Sequence, residues 1–241
     1  MIKKIYLIGN PNVGKSVVFS RLTGVQTMSS NYPGTTVEFI KGYLSLGNEK
    51  IEVIDLPGTY SLDATSGAEE VAISLLKELP KDEIVVINIL DSTNLERNLL
   101  LTVQLIEDGL PTIVCLNMCD DAAHRGVHID FKKLEEILHV PVIPTCAVTG
   151  RGIRSLIERI GEARPVPRDM LSHEDRWKEI GRIIEIVQHL EHRHHTLREH
   201  LEDASVRPVT GLIMASAVIY ASFKIVRFLG EFIISRITDP I

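Results

Sequence analysis

The string Gly9-Asn10-Pro11-Asn12-Val13-Gly14-Lys15-Ser16 lies between the apolar run Ile5–Ile8 and the helical stretch Val17–Leu22. No other feature constrains the fold of this chain as tightly. It reads G-x-x-x-x-G-K-[ST], a pattern that works where a strand turns sharply into a helix. The glycines let backbone N–H groups curl around an anion, and the helix N-terminus adds its positive dipole end. Lys15 is then expected to bridge the β- and γ-phosphates of a nucleotide, and the Ser16 hydroxyl to ligate Mg²⁺.

A strand, turn and helix of this kind belong in an α/β sheet, and the first 163 residues agree. The β-branched runs Ile51–Ile54, Ile84–Ile89, Thr112–Leu116 and Val140–Ile143 alternate with the amphipathic stretches Ala68–Leu79, Leu95–Glu107 and Lys132–Leu138. Strands that read as continuous apolar runs are buried on both faces. The expected fold is therefore α/β, a mostly parallel six-stranded sheet flanked by helices, with ligand chemistry at the carboxyl ends of the strands. A net charge of -6 with no basic stripe argues against broad electrostatic binding of nucleic acid. The 3 cysteines lack framework spacing, which points to a reducing, cytoplasmic setting. Cys115, Cys119 and Cys146 read as small packing residues, not nucleophiles. Met1-Ile2-Lys3-Lys4 leads into an apolar run too short for a signal sequence.

Further motifs follow in a telling order. Asp55-Leu56-Pro57-Gly58 closes a strand, which puts the Asp55 carboxylate where it can hold Mg²⁺ through water and the Gly58 N–H where it can meet a γ-phosphate. Gly34, Thr35 and Thr36 lie in the loop after the first helix. A threonine there can close over Mg²⁺ with its hydroxyl and sense the γ-phosphate with its N–H, and Thr36 is the expected one. Asn117-Met118-Cys119-Asp120 follows the strand Thr112–Leu116 and fits the base-reading N-x-x-D arrangement. The Asp120 carboxylate can accept from both N1–H and the N2 amine of guanine, a donor pair that adenine lacks. Met118 stands where most such sites carry lysine. Cys146-Ala147-Val148 sits where backbone N–H groups usually contact the guanine carbonyl. The expected pocket for GTP or GDP thus comprises residues 9–17, 34–36, 55–58, 117–120 and 146–148, including Val17.

Together these motifs resemble a Ras-like P-loop GTPase fold. Finer detail is similar to the ferrous-iron transport protein B family: the phosphate loop itself, Asn31-Tyr32-Pro33-Gly34-Thr35-Thr36-Val37-Glu38, Asp55-Leu56-Pro57-Gly58-Thr59-Tyr60-Ser61-Leu62, Asp91-Ser92-Thr93-Asn94-Leu95-Glu96-Arg97-Asn98-Leu99, and Asn117-Met118. The likeness is dense over residues 1–163 and resumes at Arg207-Pro208-Val209-Thr210-Gly211, which is similar to the entry into that family's first membrane helix. The resemblance implies a prokaryotic inner-membrane Fe²⁺ transporter whose cytoplasmic G domain joins the membrane part through a small helical domain. Residues 1–206 would then be cytoplasmic. The implied partners are guanine nucleotide, the remainder of the membrane permease, small cytoplasmic proteins and further copies of the chain. Slow hydrolysis is implied as well, because Thr59 stands where Ras-like enzymes carry a water-orienting glutamine. A K⁺ ion held by Asn12 would take the place of an arginine finger. Asn12, Lys15, Thr36 and Gly58 are thus the expected catalytic set. The residues alone also admit a soluble GTPase of ribosome assembly or tRNA modification.

Pro165-Val166-Pro167 breaks helix geometry and ends the alternating pattern. Residues 164–206 read as a short helical linker domain with charge pairs around a thin stripe of Ile180, Ile183, Ile184 and Val187. Residues 207–241 read as the start of the membrane region, since the apolar run from Val209 to Ile237 exceeds the ~20 residues a spanning helix needs. Ser216, Tyr220, Lys224, Arg227, Glu231 and Ser235 share one face of it. That face should meet other helices, a watery cavity or headgroups. Ending at Ile241, the chain reads as cut short. His189, His192, His194, His195 and His200 crowd one region, where a solvated polar helix is a plainer expectation than a metal site.

Overall fold

In chain order the elements of the computed structural model are β1 (Lys4–Gly9), α1 (Lys15–Thr23), β2 (Met28–Asn31), β3 (Glu38–Leu46), β4 (Glu49–Asp55), α2 (Gly67–Leu76), β5 (Ile84–Asp91), α3 (Leu95–Glu107), β6 (Thr112–Asn117), α4 (Cys119–His124), β7 (Val127–Ile129), α5 (Phe131–Leu138), β8 (Val142–Pro144), α6 (Ile153–Arg159), α7 (His173–Val187), β9 (Gln188–Leu190) and α8 (Pro208–Ile237). The structure describes residues 2–24, 28–31, 38–47, 49–63, 67–76, 80–190, 204–205 and 208–237.

The main sheet has 7 strands in the order β2-β3-β4-β1-β5-β6-β8. β1 pairs in parallel with β4 and β5, β5 with β6, and β6 with β8, whereas β3 is antiparallel to β4 and β2 to β3. Five of these strands are the apolar runs read from the sequence; β3 and the short edge strand β2 complete a sheet of seven where six were expected. β8 starts after Pro141, whose nitrogen cannot donate to a ladder but whose carbonyl accepts from Val114 N–H at 2.8 Å.

Alternation along the strands builds two cores. Ile5 and Leu7 of β1, Ile87 and Ile89 of β5 and Cys115 of β6 face α1 and α6, where Val18, Phe19, Leu22 and Leu156 are buried. Tyr6, Ile8 and Val86 face α2 and α3 on the other side. Helices on both faces explain why the strands carry so few polar residues. Gly42 of β3 is dictated by this packing, since a Cβ there would lie 2.8 Å from the Thr23 side chain on α1.

The stretch read as a linker carries α7, and its thin apolar stripe is a docking face. Ile180, Ile183 and Val187 are fully buried among Leu99 and Val103 of α3 and Leu134 and Leu138 of α5. Ser172 caps the helix by accepting from Asp175 N–H at 3.2 Å. Arg176 Nε donates to the buried Glu107 carboxylate at the end of α3 at 2.7 Å, and Leu171 N–H donates to the same carboxylate at 3.2 Å. β9 then pairs antiparallel with β7, placing His189 opposite His128. His192, His194, His195 and His200 lie outside the described residues.

Two compact units result, divided after Glu191. The second contains α8, in which Pro208–Phe232 is long and apolar enough to cross a membrane by length and composition. On its polar face Lys224 lies 5.7 Å from the Tyr220 ring centroid, and Arg227 pairs with Glu231 at 2.7 Å.

Candidate functional site: a groove at the carboxyl ends of the strands

The phosphate loop leaves β1 at Gly9 and enters α1 at Lys15. Both glycines are required by space. A Cβ at Gly9 would lie 2.4 Å from the Ile89 carbonyl oxygen, and one at Gly14 would lie 2.4 Å from Asn117 Nδ2. Gly14 also has φ 85°, and Asn12 adopts a left-handed φ of 67°. Val13 is buried and plugs the loop into the core. Asn10, Pro11, Asn12, Gly14, Lys15, Ser16, Val17 and Gly58 line a cavity of about 390 Å³.

At its floor the Lys15 ammonium donates to Asp55 Oδ1 and to the Leu56 carbonyl, and Ser16 Oγ lies 3.4 Å from Asp55 Oδ2. Burial pushes the Asp55 carboxyl above its ordinary pKa, while the Lys15 charge and the hydrogen bonds from Lys15 and Ser16 pull it back. The turn after Asp55 rests on the phosphate loop. Leu56 N–H donates to Leu7 O at 3.0 Å, and Thr59 N–H donates to Gly9 O at 3.1 Å. A Cβ at Gly58 would lie 3.2 Å from the Pro11 ring, so glycine lets this turn lie close over Pro11. Thr59 is buried, and its hydroxyl bonds Ser61 O at 2.7 Å and Glu69 at 3.1 Å.

The other end of the groove is organised by Asn117. Its Nδ2 donates to Val13 O at 2.9 Å, and its Oδ1 accepts from Ala147 N–H at 3.0 Å. One buried carboxamide thus ties the phosphate loop to the 145–148 loop. Met118 takes a left-handed φ of 60° and opens α4, leaving the Asp120 carboxylate exposed at the groove. The Cys146 thiol donates to Asp120 Oδ2 at 3.1 Å, and this bond is the largest of the effects that hold the Asp120 carboxyl below its ordinary pKa. Burial pushes the Cys115 thiol up to about 12 and raises that of Cys119, as suits packing residues.

Of the backbone donors read at 146–148, Cys146 N–H is engaged by Arg151 O and Ala147 N–H by Asn117. Val148 stands exposed beside them. Arg21, which the sequence reading missed, donates from α1 to the Ala147 and Val148 carbonyls. Nothing in the local pattern marks it, because its partners lie more than a hundred residues away. Gly34, Thr35 and Thr36 lie outside the described residues.

Residues 3–160 match the family described as Ferrous iron transport protein B. The chain belongs to that family. The Fe(2+) transporter FeoB of Escherichia coli strain K12 is 44% identical over 156 residues, which are 63% of this chain and 20% of the relative. The Fe(2+) transport protein A/Fe(2+) transporter FeoB fusion protein of Porphyromonas gingivalis is 43% identical over 157 residues, 65% of this chain and 18% of the relative. The chain thus spans about a fifth of the length of these curated FeoB relatives. Among solved structures, the cytosolic domain of L. pneumophila FeoB is 33% identical with a TM-score of 0.72, covering 78% of this chain and 100% of that one. A GDP-bound mutant of S. thermophilus NFeoB is 36% identical with a TM-score of 0.64, covering 77% of this chain and 71% of that one.

Proposed function

We propose that this chain binds GTP and GDP and hydrolyses GTP slowly as the cytoplasmic part of a prokaryotic inner-membrane ferrous-iron transporter. The observation that carries this reading is that Asn117 joins the phosphate loop to the loop beside Asp120. Lys15, Ser16 and Asp55 stand at one end, the exposed Asp120 carboxylate stands at the other, and Asn117 is bonded to the loops of both. A triphosphate fits the loop end, and a base offering two adjacent N–H donors fits Asp120.

On loading, the Lys15 ammonium exchanges its Asp55 and Leu56 partners for phosphate oxygens. The Ser16 hydroxyl and the Asp55 carboxylate, hard oxygen donors 3.4 Å apart, fit Mg²⁺, which would neutralise charge on the β- and γ-phosphates. The exposed Asn12 side chain at the cavity fits K⁺, which would add positive charge where other GTPases use arginine. Gly58 N–H would meet the γ-phosphate, Thr36 would close over the metal, and the Val148 N–H is best placed for the guanine carbonyl. Because the Thr59 hydroxyl is engaged inside the fold, turnover would be slow, on the order of 10⁻⁴ to 10⁻² s⁻¹.

We read residues 1–163 as the G domain, 164–206 as a short helical linker domain whose α7 packs on α3 and α5, and 207–241 as the start of the membrane region. Residues 1–206 would be cytoplasmic, and the partners would be the rest of the permease, small cytoplasmic proteins and further copies. The long apolar α8 favours this reading over a soluble GTPase acting on RNA. The test is GTP hydrolysis by the full chain in detergent, in K⁺ against Na⁺ at fixed ionic strength, for wild type and Asn12→Ala. A K⁺-specific acceleration that the variant loses is expected. Equal rates in both salts would refute the cation-assisted mechanism, and failure to bind guanine nucleotide would refute the whole reading.

A further inference from the structure

Gln104 of α3 is 4% exposed, with the fully buried Leu101 and Leu105 beside it on the helix. Both ends of its carboxamide are spent on the loop that leaves Asp55-Leu56-Pro57-Gly58. Oε1 accepts from Leu62 N–H at 2.8 Å, and Nε2 donates to Asp63 Oδ2 at 2.9 Å. Among the described residues the loop has no secondary-structure ladder of its own. It is also tied to the body by the Leu62 side chain packed on the core that includes Leu101 and Leu105, by Thr59 N–H on Gly9 O at 3.1 Å, by the Thr59 hydroxyl on Glu69 at 3.1 Å, and by Arg97 of α3 lying 4.4 Å from the Tyr60 ring centroid. At the start of this stretch, Gly58 forms part of the wall of the phosphate cavity.

We propose that Gln104 is a positioning residue that latches the Leu62–Asp63 segment to α3 and so keeps the Gly58 N–H in the wall of the phosphate cavity, set for the terminal phosphate of a nucleoside triphosphate. The inference rests on the guanine-nucleotide reading above. A carboxamide is the side chain suited to this task, because it offers an acceptor to a backbone N–H and a donor to a carboxylate at once. A carboxylate in its place would repel Asp63, and an alkyl group would leave the half-buried Leu62 N–H without its partner and release the exposed Asp63 carboxylate to water. α3 is a rigid anchor, since it packs both on the sheet and on α7. A diphosphate lacks the phosphate that Gly58 would contact. Loss of the latch therefore falls on the triphosphate, while general damage to the fold would weaken both nucleotides alike.

The experiment compares wild type, Gln104→Leu, Gln104→Glu and the double variant Gln104→Glu with Asp63→Asn, each as the full chain in detergent. Affinities for GDP and for a non-hydrolysable GTP analogue are measured by calorimetry. Gln104→Leu and Gln104→Glu should weaken the analogue about tenfold while leaving GDP within about twofold, the loss of hydrogen bonds to a loop and a charged group. The double variant keeps the Leu62 N–H bond on a carboxylate oxygen and remakes the bond to position 63 with donor and acceptor exchanged, and should return the analogue-to-GDP ratio to near the wild-type value. If Gln104→Leu fails to fold, the recovery of that ratio between the single Glu variant and the double variant decides the matter. An unchanged ratio in the single variants, or no recovery in the double variant, overturns the latch. Wild type that binds neither nucleotide overturns the underlying reading instead.

Discussion

At the base end of the groove, loops far apart in sequence are fastened to one another: Asn117 to Val13 and Ala147, Cys146 to Asp120, Arg21 to Ala147 and Val148. At the phosphate end the strongest contact is an ion pair between Lys15 and Asp55, the two groups that a nucleotide and its metal would claim. One end is assembled in advance, so little reorganisation would accompany the base binding proposed there. The other is self-satisfied and would have to exchange partners on the proposed loading. Preorganisation favours selectivity at the first, and an exchangeable ion pair makes the second responsive to what is bound.

The largest effect should come from the phosphate end. Lys15→Ala should weaken GTP and GDP by roughly a hundredfold or more in fluorescent-nucleotide titrations, because a charge-assisted contact to phosphate is lost. A pH signature goes with it. The Asp55 carboxyl is raised by burial, so its contribution to stability is fully present below the ordinary aspartate value and is lost as pH rises through the folded one. Removing Lys15 raises the folded value further, so nucleotide-free Lys15→Ala should lose more stability than wild type between acid and neutral pH in urea titrations. Parallel curves for the two proteins would contradict the ion pair.

Asn117→Ala strikes the base end. It strands the Val13 carbonyl and the Ala147 N–H in buried surroundings, and should lower unfolding free energy by about 2–4 kcal/mol even without nucleotide. A stability change below about 1 kcal/mol would mean that the base end is not built in advance.

Glu135→Gln probes the support behind that end. Glu135 accepts from Val142 N–H at 2.8 Å and pairs bidentately with Arg159 at 2.9 and 2.8 Å, so it caps the outer edge of β8. The Arg159 bonds hold its carboxyl below the ordinary glutamate value. The stabilisation is therefore present above the ordinary value and lost as pH falls through the lowered one. Because the pair is partly exposed, the cost of Glu135→Gln at neutral pH should be only about 1 kcal/mol, vanishing in acid. At the foot of the scale, Arg154→Ala breaks an exposed pair with Glu158 and should change stability by less than about 0.5 kcal/mol.

Much of this was legible in the chain. The phosphate loop, Asp55–Gly58 and Asn117–Asp120 are contiguous strings whose chemistry depends on residue type and short spacing, and α3 occupies Leu95–Glu107 as its periodicity required. β2, β7 and β9 were not legible, since they are short and lack an apolar run, and β3 was not legible because Lys41, Gly42 and Ser45 interrupt its apolar positions. Nor was the fate of α7. Its stripe of isoleucines is too thin to imply a core of its own, yet it completes one already begun by α3 and α5.

The sequence by itself determined which groups have the chemistry proposed for phosphate, metal and guanine, because that chemistry belongs to side chains and to the absence of a Cβ at Gly9 and Gly14. Only the tertiary structure decided how those groups are held. Asn117 at the crossing of two loops, Thr59 turned inward onto Glu69 and Gln104 clasping Leu62 are contacts between segments that the chain order keeps apart. A hydrogen bond is set by distance and direction in space, and a one-dimensional string contains neither until the sheet has brought its strand ends together.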